Sequence, residues 1–335
     1  MHSSEVETFT VAELKALPRD PAQSFTGVYL IKKADVKVAR NGNEFLALEL
    51  GDYTGSFHCT CFGDNPVYAL LKETKEGAVI HIKGQTDYFQ DRLSPRLETA
   101  HALDDEEAAQ HLDHLIETSP ENPDQLWEEL QDSIAQIGDP ALRATVNSVI
   151  DDLGTAFRTS SAALNMHHAY RYGLLEHTVR VTRACRVMLP LYPEVNVDLA
   201  LAGAVLHDVG KAIEYAQGGL VNKKTRTGIL QGHIVLGYRL VRRAALQNKL
   251  DLERTERLEH IILSHQGELE WGAAVMAATP EAVFVSILDN LDAKMGMVQH
   301  TLRTTPKQDE FSAYLPGLKT NLLTTPIAPP SDGIE

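Results

Sequence analysis

Hydrophobic and polar positions change their period partway along this chain. After a short amphipathic start at residues 10–17 and a break at Pro18 and Pro21, residues 25–103 alternate, with β-branched and aromatic side chains recurring at every second position. That pattern predicts five strands, over residues 25–38, 45–50, 56–61, 78–88 and 92–102, with turns at Asn41-Gly42-Asn43 and Tyr53-Thr54-Gly55. A helical stretch, residues 65–73, falls between the third and the fourth. Strand-strand-strand-helix-strand-strand is the order of an OB-fold barrel.

From Asp104 the alternation stops. Residues 104–117 and 124–137 predict acidic amphipathic helices, read as a solvated linker and helical collar over residues 104–140. Beyond Ala141 nearly every stretch has helical period: residues 142–157, 174–189, 198–207, 229–247, 253–264 and 280–297. The expected architecture is multidomain: a segment over 1–24, a small all-β OB-fold barrel over 25–103, the linker, an all-α domain over 141–300, and a Pro-rich tail over 301–335, partly disordered.

Composition narrows the class. With 43% hydrophobic and 23% charged residues in 335, the chain is an ordinary globular protein. Three cysteines, Cys59, Cys61 and Cys185, are too few and too unevenly placed for a disulfide framework, which points to a reducing compartment. Cys59 and Cys61 share one strand face with no paired motif elsewhere, so they read as packing groups. The opening residues carry acids where an export signal needs basic groups, and no apolar run reaches the roughly 18 residues of a membrane span, so a cytoplasmic location is expected. The net charge of -15 argues against a nucleic-acid partner only until it is divided: residues 104–160 hold 14 acidic and 2 basic side chains, while 161–335 hold 18 of each. Both flanking regions can therefore present a basic face.

The chemistry-bearing residues of the helical region are His177, His207-Asp208, His233, His265 and Asp289, each on a different predicted helix or at its end. His177 shares a stripe with Val181, Cys185 and Met188, and the helix ahead of His207 is apolar all round, so these polar groups are delivered into an interior. Buried ionisable groups need partners, and a divalent cation held by imidazole nitrogens and a carboxylate is an economical one. Lys211 follows at once and sets a positive charge beside the cluster. His260 and His265 are five residues apart, about 140° around a helix, so both cannot serve one site; His265 is the choice. Asp292 lies nearly on the face of Asp289 and reads as its support. His167-His168 reads as a substrate contact.

These residues sit in recognisable strings. LeuLeuGluHisThr at 174–178, HisAspValGlyLys at 207–211, GlyHisIle at 232–234, IleLeuSerHisGlnGly at 262–267, GluTrpGly at 270–272 and AspAsnLeuAspAlaLysMet at 289–295 resemble the HD-domain metal-dependent phosphohydrolases. More narrowly, the chain resembles the YhaM-type 3′→5′ exoribonucleases, which place an OB-fold before an HD domain; the resemblance spans about residues 8–300. It implies metal ligands at His177, His207, Asp208 and Asp289, a second ion at His233 and His265, and a phosphate-facing Lys211. It departs at His265-Gln266, where the family often has two histidines, and at Arg171-Tyr172, where smaller residues are expected.

The mechanism expected on this reading uses one or two divalent ions, manganese first, with cobalt, iron, nickel, magnesium or zinc as other occupants; Asp208 bridges them and Lys211 acts on the phosphate. Lys223, Lys224 and Arg226, joined by Arg239, Arg242 and Arg243, form the expected phosphate track. In the barrel, Lys32, Lys33, Lys37 and Arg40 with Tyr29, Phe57, Phe62, Tyr88 and Phe89 are the candidates for gripping a single strand, one or two of the rings by stacking. The first function is thus a 3′→5′ exonuclease on single-stranded RNA, or DNA, yielding nucleoside 5′-monophosphates, with a homo-oligomer as a candidate assembly. A phosphohydrolase of nucleotides or cyclic nucleotides with a regulatory barrel, and a non-catalytic nucleic-acid-binding protein, are the competing readings.

Overall fold

The computed structural model describes residues 8–39, 42–163, 168–216, 223–306 and 309–327, apart from the side chain of Asp113. Arg40, His167, residues 218–222 of the basic loop and the end of the tail therefore lie outside the described residues. The chain divides into two compact units, Met1–Thr118 and Ser119–Glu335.

In the first unit, helix α1 (Val11–Ala16) is started by a reciprocal cap between Thr10 and Glu13. Strands β1 (Ser24–Val38), β2 (Glu44–Asp52) and β3 (Gly55–Phe62) precede helix α2 (Tyr68–Glu73), and β4 (Val79–Gln85) follows it. A small hairpin of β5 (Tyr88–Phe89) and β6 (Arg92–Leu93) leads into β7 (Arg96–Ala102). The sheet is antiparallel with the order β3-β2-β1-β4-β7. Its 15-residue first strand serves two partners: Ser24 to Leu30 pair with β4, while Leu30 to Val38 pair with β2 across an irregularity between Ile31 and Lys33. That switch bends the sheet, and its two end strands, β3 and β7, approach each other. Alternation on β2 and β3 buries Leu46, Leu48, Leu50, Phe57, Cys59 and Cys61 against Tyr29, Ile80 and Ile82. The predicted fifth strand is split at Ser94-Pro95 into β6 and β7, and Gln90 and Asp91, both at positive φ, turn β5 back onto β6.

Short helices α3 (Asp105–Gln110) and α4 (Leu112–Leu115) close the first unit. The second contains α5 (Pro123–Ala135), α6 (Pro140–Leu153), α7 (Thr155–Thr159), α8 (Gly173–Met188), α9 (Val197–Leu206), α10 (Lys211–Glu214), α11 (Arg226–Gln247), α12 (Leu252–Ser264), α13 (Pro280–Thr304) and a hairpin of β8 (Phe311–Leu315) and β9 (Thr320–Leu323). Helix α9 is buried from Leu199 to Leu206 and forms the axis of the bundle, touching α5, α6, α8, α12 and α13.

Three expectations change. Helix α5 is no linker: Leu126, Leu130, Ile134 and Ile137 recur at helical spacing and enter the same core as α8 and α9. Its acids dominated the sequence reading, yet Glu129 is bound on both oxygens by Arg183 of α8. The segment read as a tail extends α13 to Thr304 and then folds into the β8–β9 hairpin. The helix expected over 142–157 is also interrupted, at Gly154 with φ of 48°.

Candidate metal centre

Each polar side chain of the cluster is placed by a local feature. His177 sits one turn into α8, fully buried. His207 caps the C-terminus of α9, and the turn after it carries Asp208 to Gly210. Gly210 is required there because a Cβ would stand 1.9 Å from the carbonyl oxygen of His233, so the turn packs backbone to backbone on α11. His233 follows a kink at Gly232, whose φ is 70°. His265 caps α12, and Asp289 faces inward from α13.

Asp208 joins two groups of ligand atoms. Toward its Oδ2 lie His177 Nε2 at 3.3 Å and His207 Nε2 at 3.5 Å, with Asp289 Oδ1 3.2 Å from His177 Nε2. Toward its Oδ1 lie His265 Nε2 at 3.4 Å and His233 Nε2 at 3.6 Å. In both groups the ligand atoms lie within 4.8 Å of one another.

The outer ring nitrogens explain the inward ones. Nδ1 of His177 meets Asp292 Oδ2 at 2.7 Å, that of His207 the Ala204 carbonyl at 2.8 Å, that of His265 the Ile262 carbonyl at 2.7 Å, and that of His233 Glu214 Oε2 at 2.9 Å. All four partners are acceptors, so Nδ1 donates, and each ring in its neutral form turns a lone pair inward through Nε2. Two such lone pairs, on His177 and His207, face each other at 3.0 Å. Both oxygens of Asp208 are buried and accept no well-directed hydrogen bond. Lone pairs and carboxylate oxygens converging in a closed interior fit a divalent cation.

Electrostatics point the same way. Burial disfavours an imidazolium at His177, yet Asp208, Asp289 and Asp292 around it raise its pKa well above the ordinary histidine value. The position attracts positive charge. Burial also opposes ionisation of Asp208, but Lys211 and His207 hold its carboxyl well below the usual range; Asp289, desolvated but bonded to His177, is held at about 2. Lys211 is itself buried, its Nζ 2.6 Å from Asp208 Oδ2. His233 is pushed down by burial.

The structure brings together all six expected ligands and Lys211, and sends His260 away, where its Nε2 accepts from the Ala278 amide at 2.8 Å. His168 is corrected. It is buried at φ of 51°, and its Nε2 lies 2.8 Å from Asp292 Oδ2 while Nδ1 meets the Tyr170 hydroxyl at 2.9 Å, so it braces the support of His177 and cannot face a substrate. Lys224 is not an open cation either: its Nζ lies 2.7 Å from Glu214 Oε1, and Glu214 holds His233. Arg242 and Arg243 pair with Glu259 and Asp152, and Arg239 bonds Gln231, which leaves Lys223 and Arg226 as the basic groups of the expected track without a side-chain partner among the described residues. Glu214 escaped the sequence reading; its only signal was a carboxylate three residues after Lys211 in a buried turn.

In the first unit Tyr29 and Phe57 are core, whereas Phe62 and Phe89 are 52% and 67% exposed. Phe62 pairs with Phe45, and Phe45 with Lys37, across one outward sheet face. A groove of about 680 Å3 beside them is lined by Phe45, Phe62, Tyr88, Phe89 and Arg96. Lys32 bonds the Asp52 and Gly55 carbonyls at 3.3 and 3.0 Å, and Lys33 pairs with Asp35, so both are less available than their positions suggested. No described helix is long and apolar enough to cross a membrane.

A helical bundle with paired imidazoles and carboxylates on five elements is the HD arrangement, and the family model of the HD domain matches residues 174–294. The chain is 31% identical over 290 residues to the 3′-5′ exoribonuclease YhaM of Shouchella clausii, an alignment covering 87% of this chain and 89% of the relative, and 29% identical over the same shares to that of Halalkalibacterium halodurans. The chain belongs to the YhaM family, and it is a hydrolytic enzyme.

Proposed function

We propose that this protein hydrolyses single-stranded RNA from its 3′ end to nucleoside 5′-monophosphates, with single-stranded DNA as a second candidate substrate, the helical unit as the divalent-metal centre and the strand-rich unit as an OB-fold that grips the strand. The observation that carries the reading is the convergence of four Nε2 lone pairs on the two oxygens of one buried carboxylate, Asp208. Relatives named 3′-5′ exoribonuclease over most of the chain support the substrate and the direction.

A divalent ion held there, manganese by preference, would supply positive charge against a phosphodiester and lower the pKa of water for attack. His177, His207, Asp208 and Asp289 are the residues that would hold one ion, and His233 and His265 with Asp208 those that would hold a second. The Nδ1 hydrogen bonds keep the four rings turned the right way, so no reorientation accompanies binding. Lys211 neutralises Asp208 and stands ready to bind a non-bridging phosphate oxygen. Lys223 and Arg226 guide the backbone, and Phe62 and Phe89 stack on bases in the groove of the first unit.

The test is a time course on RNA labelled at its 5′ end. A descending ladder is expected, with 5′-mononucleotides as the unlabelled product. Internal fragments at the earliest times, or label released first as a mononucleotide, would overturn the direction.

A further inference from the structure

The second ligand group carries a contact of its own. The side-chain amide nitrogen of Gln266 lies 3.3 Å from His233 Nε2 and 3.1 Å from His265 Nε2. Both of those rings have committed the Nδ1 proton, to Glu214 and to the Ile262 carbonyl, so each Nε2 is an acceptor. Only a donor can sit between two acceptors at these distances. The amide nitrogen has two hydrogens, one for each ring, and that count fixes which end of the Gln266 amide faces inward.

We propose that Gln266 is a built-in cap on the second cation position, donating to the two lone pairs that an ion there needs and thereby making that position bind divalent metal more weakly than the one at His177, His207, Asp208 and Asp289. The inference rests on the reading of the cluster as a metal centre and adds an order of filling to it. Loading the second position breaks two hydrogen bonds and turns the amide away. Gln266 is half-buried just past the C-cap of α12, so its side chain has solvent to turn toward. Two neutral hydrogen bonds correspond to a handicap of about tenfold or more in affinity. The protein then works with one tightly held ion, and the second enters only when free metal is plentiful.

The experiment is calorimetric titration of Mn2+ into the full chain after chelator treatment. Wild type should bind in two steps, the second the weaker. Gln266→Ala removes both donors and should tighten the second step about tenfold while leaving the first unchanged. Gln266→Glu keeps the shape, removes the donors and adds a carboxylate; it should tighten the second step further, and it is the variant to read if the alanine protein does not fold. A second step unchanged or weakened in the folded variant overturns the cap alone, since the first step still reports the metal centre. No Mn2+ uptake by the wild type overturns both the cap and the reading of the cluster beneath it.

Discussion

Asp208 is the side chain on which both ligand groups depend, one oxygen facing each. Asp208→Asn keeps the volume and removes the charge. Hydrolysis should fall at least about a hundredfold, the upper range for losing even a supporting group, with the helical far-ultraviolet signal intact. Wild-type turnover in preparations free of host nuclease would refute the assignment. His168 gives a milder test of the same cluster. Its ring packs beside that of His177, and Asp292 accepts from both His168 and His177, so His168→Ala frees Asp292 to swing and His177 to rotate. The first Mn2+ binding step should weaken about tenfold, while turnover at saturating metal changes little. Loss of turnover with unchanged metal affinity would instead return His168 to the substrate-contact role that its place in the sequence suggested. A residue type names possible chemistry; only direction and burial tell support from contact.

At the scale of elements, the cluster depends on how closely α9, its following turn and α11 approach. Gly210→Ala places a methyl group 1.9 Å from the His233 carbonyl, so α11 must move. A loss of about 2 kcal/mol or more in denaturant unfolding is expected, the cost of overpacking a close backbone contact, together with weakened binding of the second ion through His233. A substitution that left both unchanged would show the turn to be slack. The α5–α8 clamp is tested by pH. A hydrogen bond from Arg183, with its charge assisting, lowers the Glu129 pKa despite some desolvation. A depressed carboxyl stabilises the fold above its unfolded value of about 4.3 and loses that contribution as pH falls through the folded value. Glu129→Gln should therefore cost about 1 kcal/mol or less at pH 7, since the pair is about a third exposed, and nothing near pH 2. A gap between the two proteins that widened on acidification would contradict the sign.

For the whole molecule, the chain divides at Thr118 and Ser119, and the proposed function assigns grip to the first unit and chemistry to the second. A fragment from Ser119 to Glu335 contains every ligand of the cluster, its supports and the α5 face that closes its core. It should fold cooperatively and cleave a small phosphodiester ester at close to the full-length rate, yet bind long single-stranded RNA more weakly. Unchanged affinity for long RNA would remove the first unit from the proposed role. Within the full chain, Lys223→Glu with Arg226→Glu should raise the KM for RNA and flatten its salt dependence more than it slows the ester, because backbone contacts carry the salt slope.

Much of this was legible in the chain. The switch from alternating to helical period separates the two kinds of unit, because side-chain period follows directly from backbone geometry. The six converging side chains were legible as well: imidazoles and carboxylates within or at the ends of apolar helices are costly there unless they meet. Sequence could not decide which charges face water. Helix α5 looked like a solvated linker until its apolar stripe met α8, and Lys224 and Arg242 looked like a phosphate track until their carboxylates came from 10 and 17 residues away. Nor could it orient the amide of Gln266 or pair Glu214 with His233. Local pattern determines what each element is and which face it buries; the partner of a polar group is set by approach of distant segments, and that approach exists only in the tertiary structure.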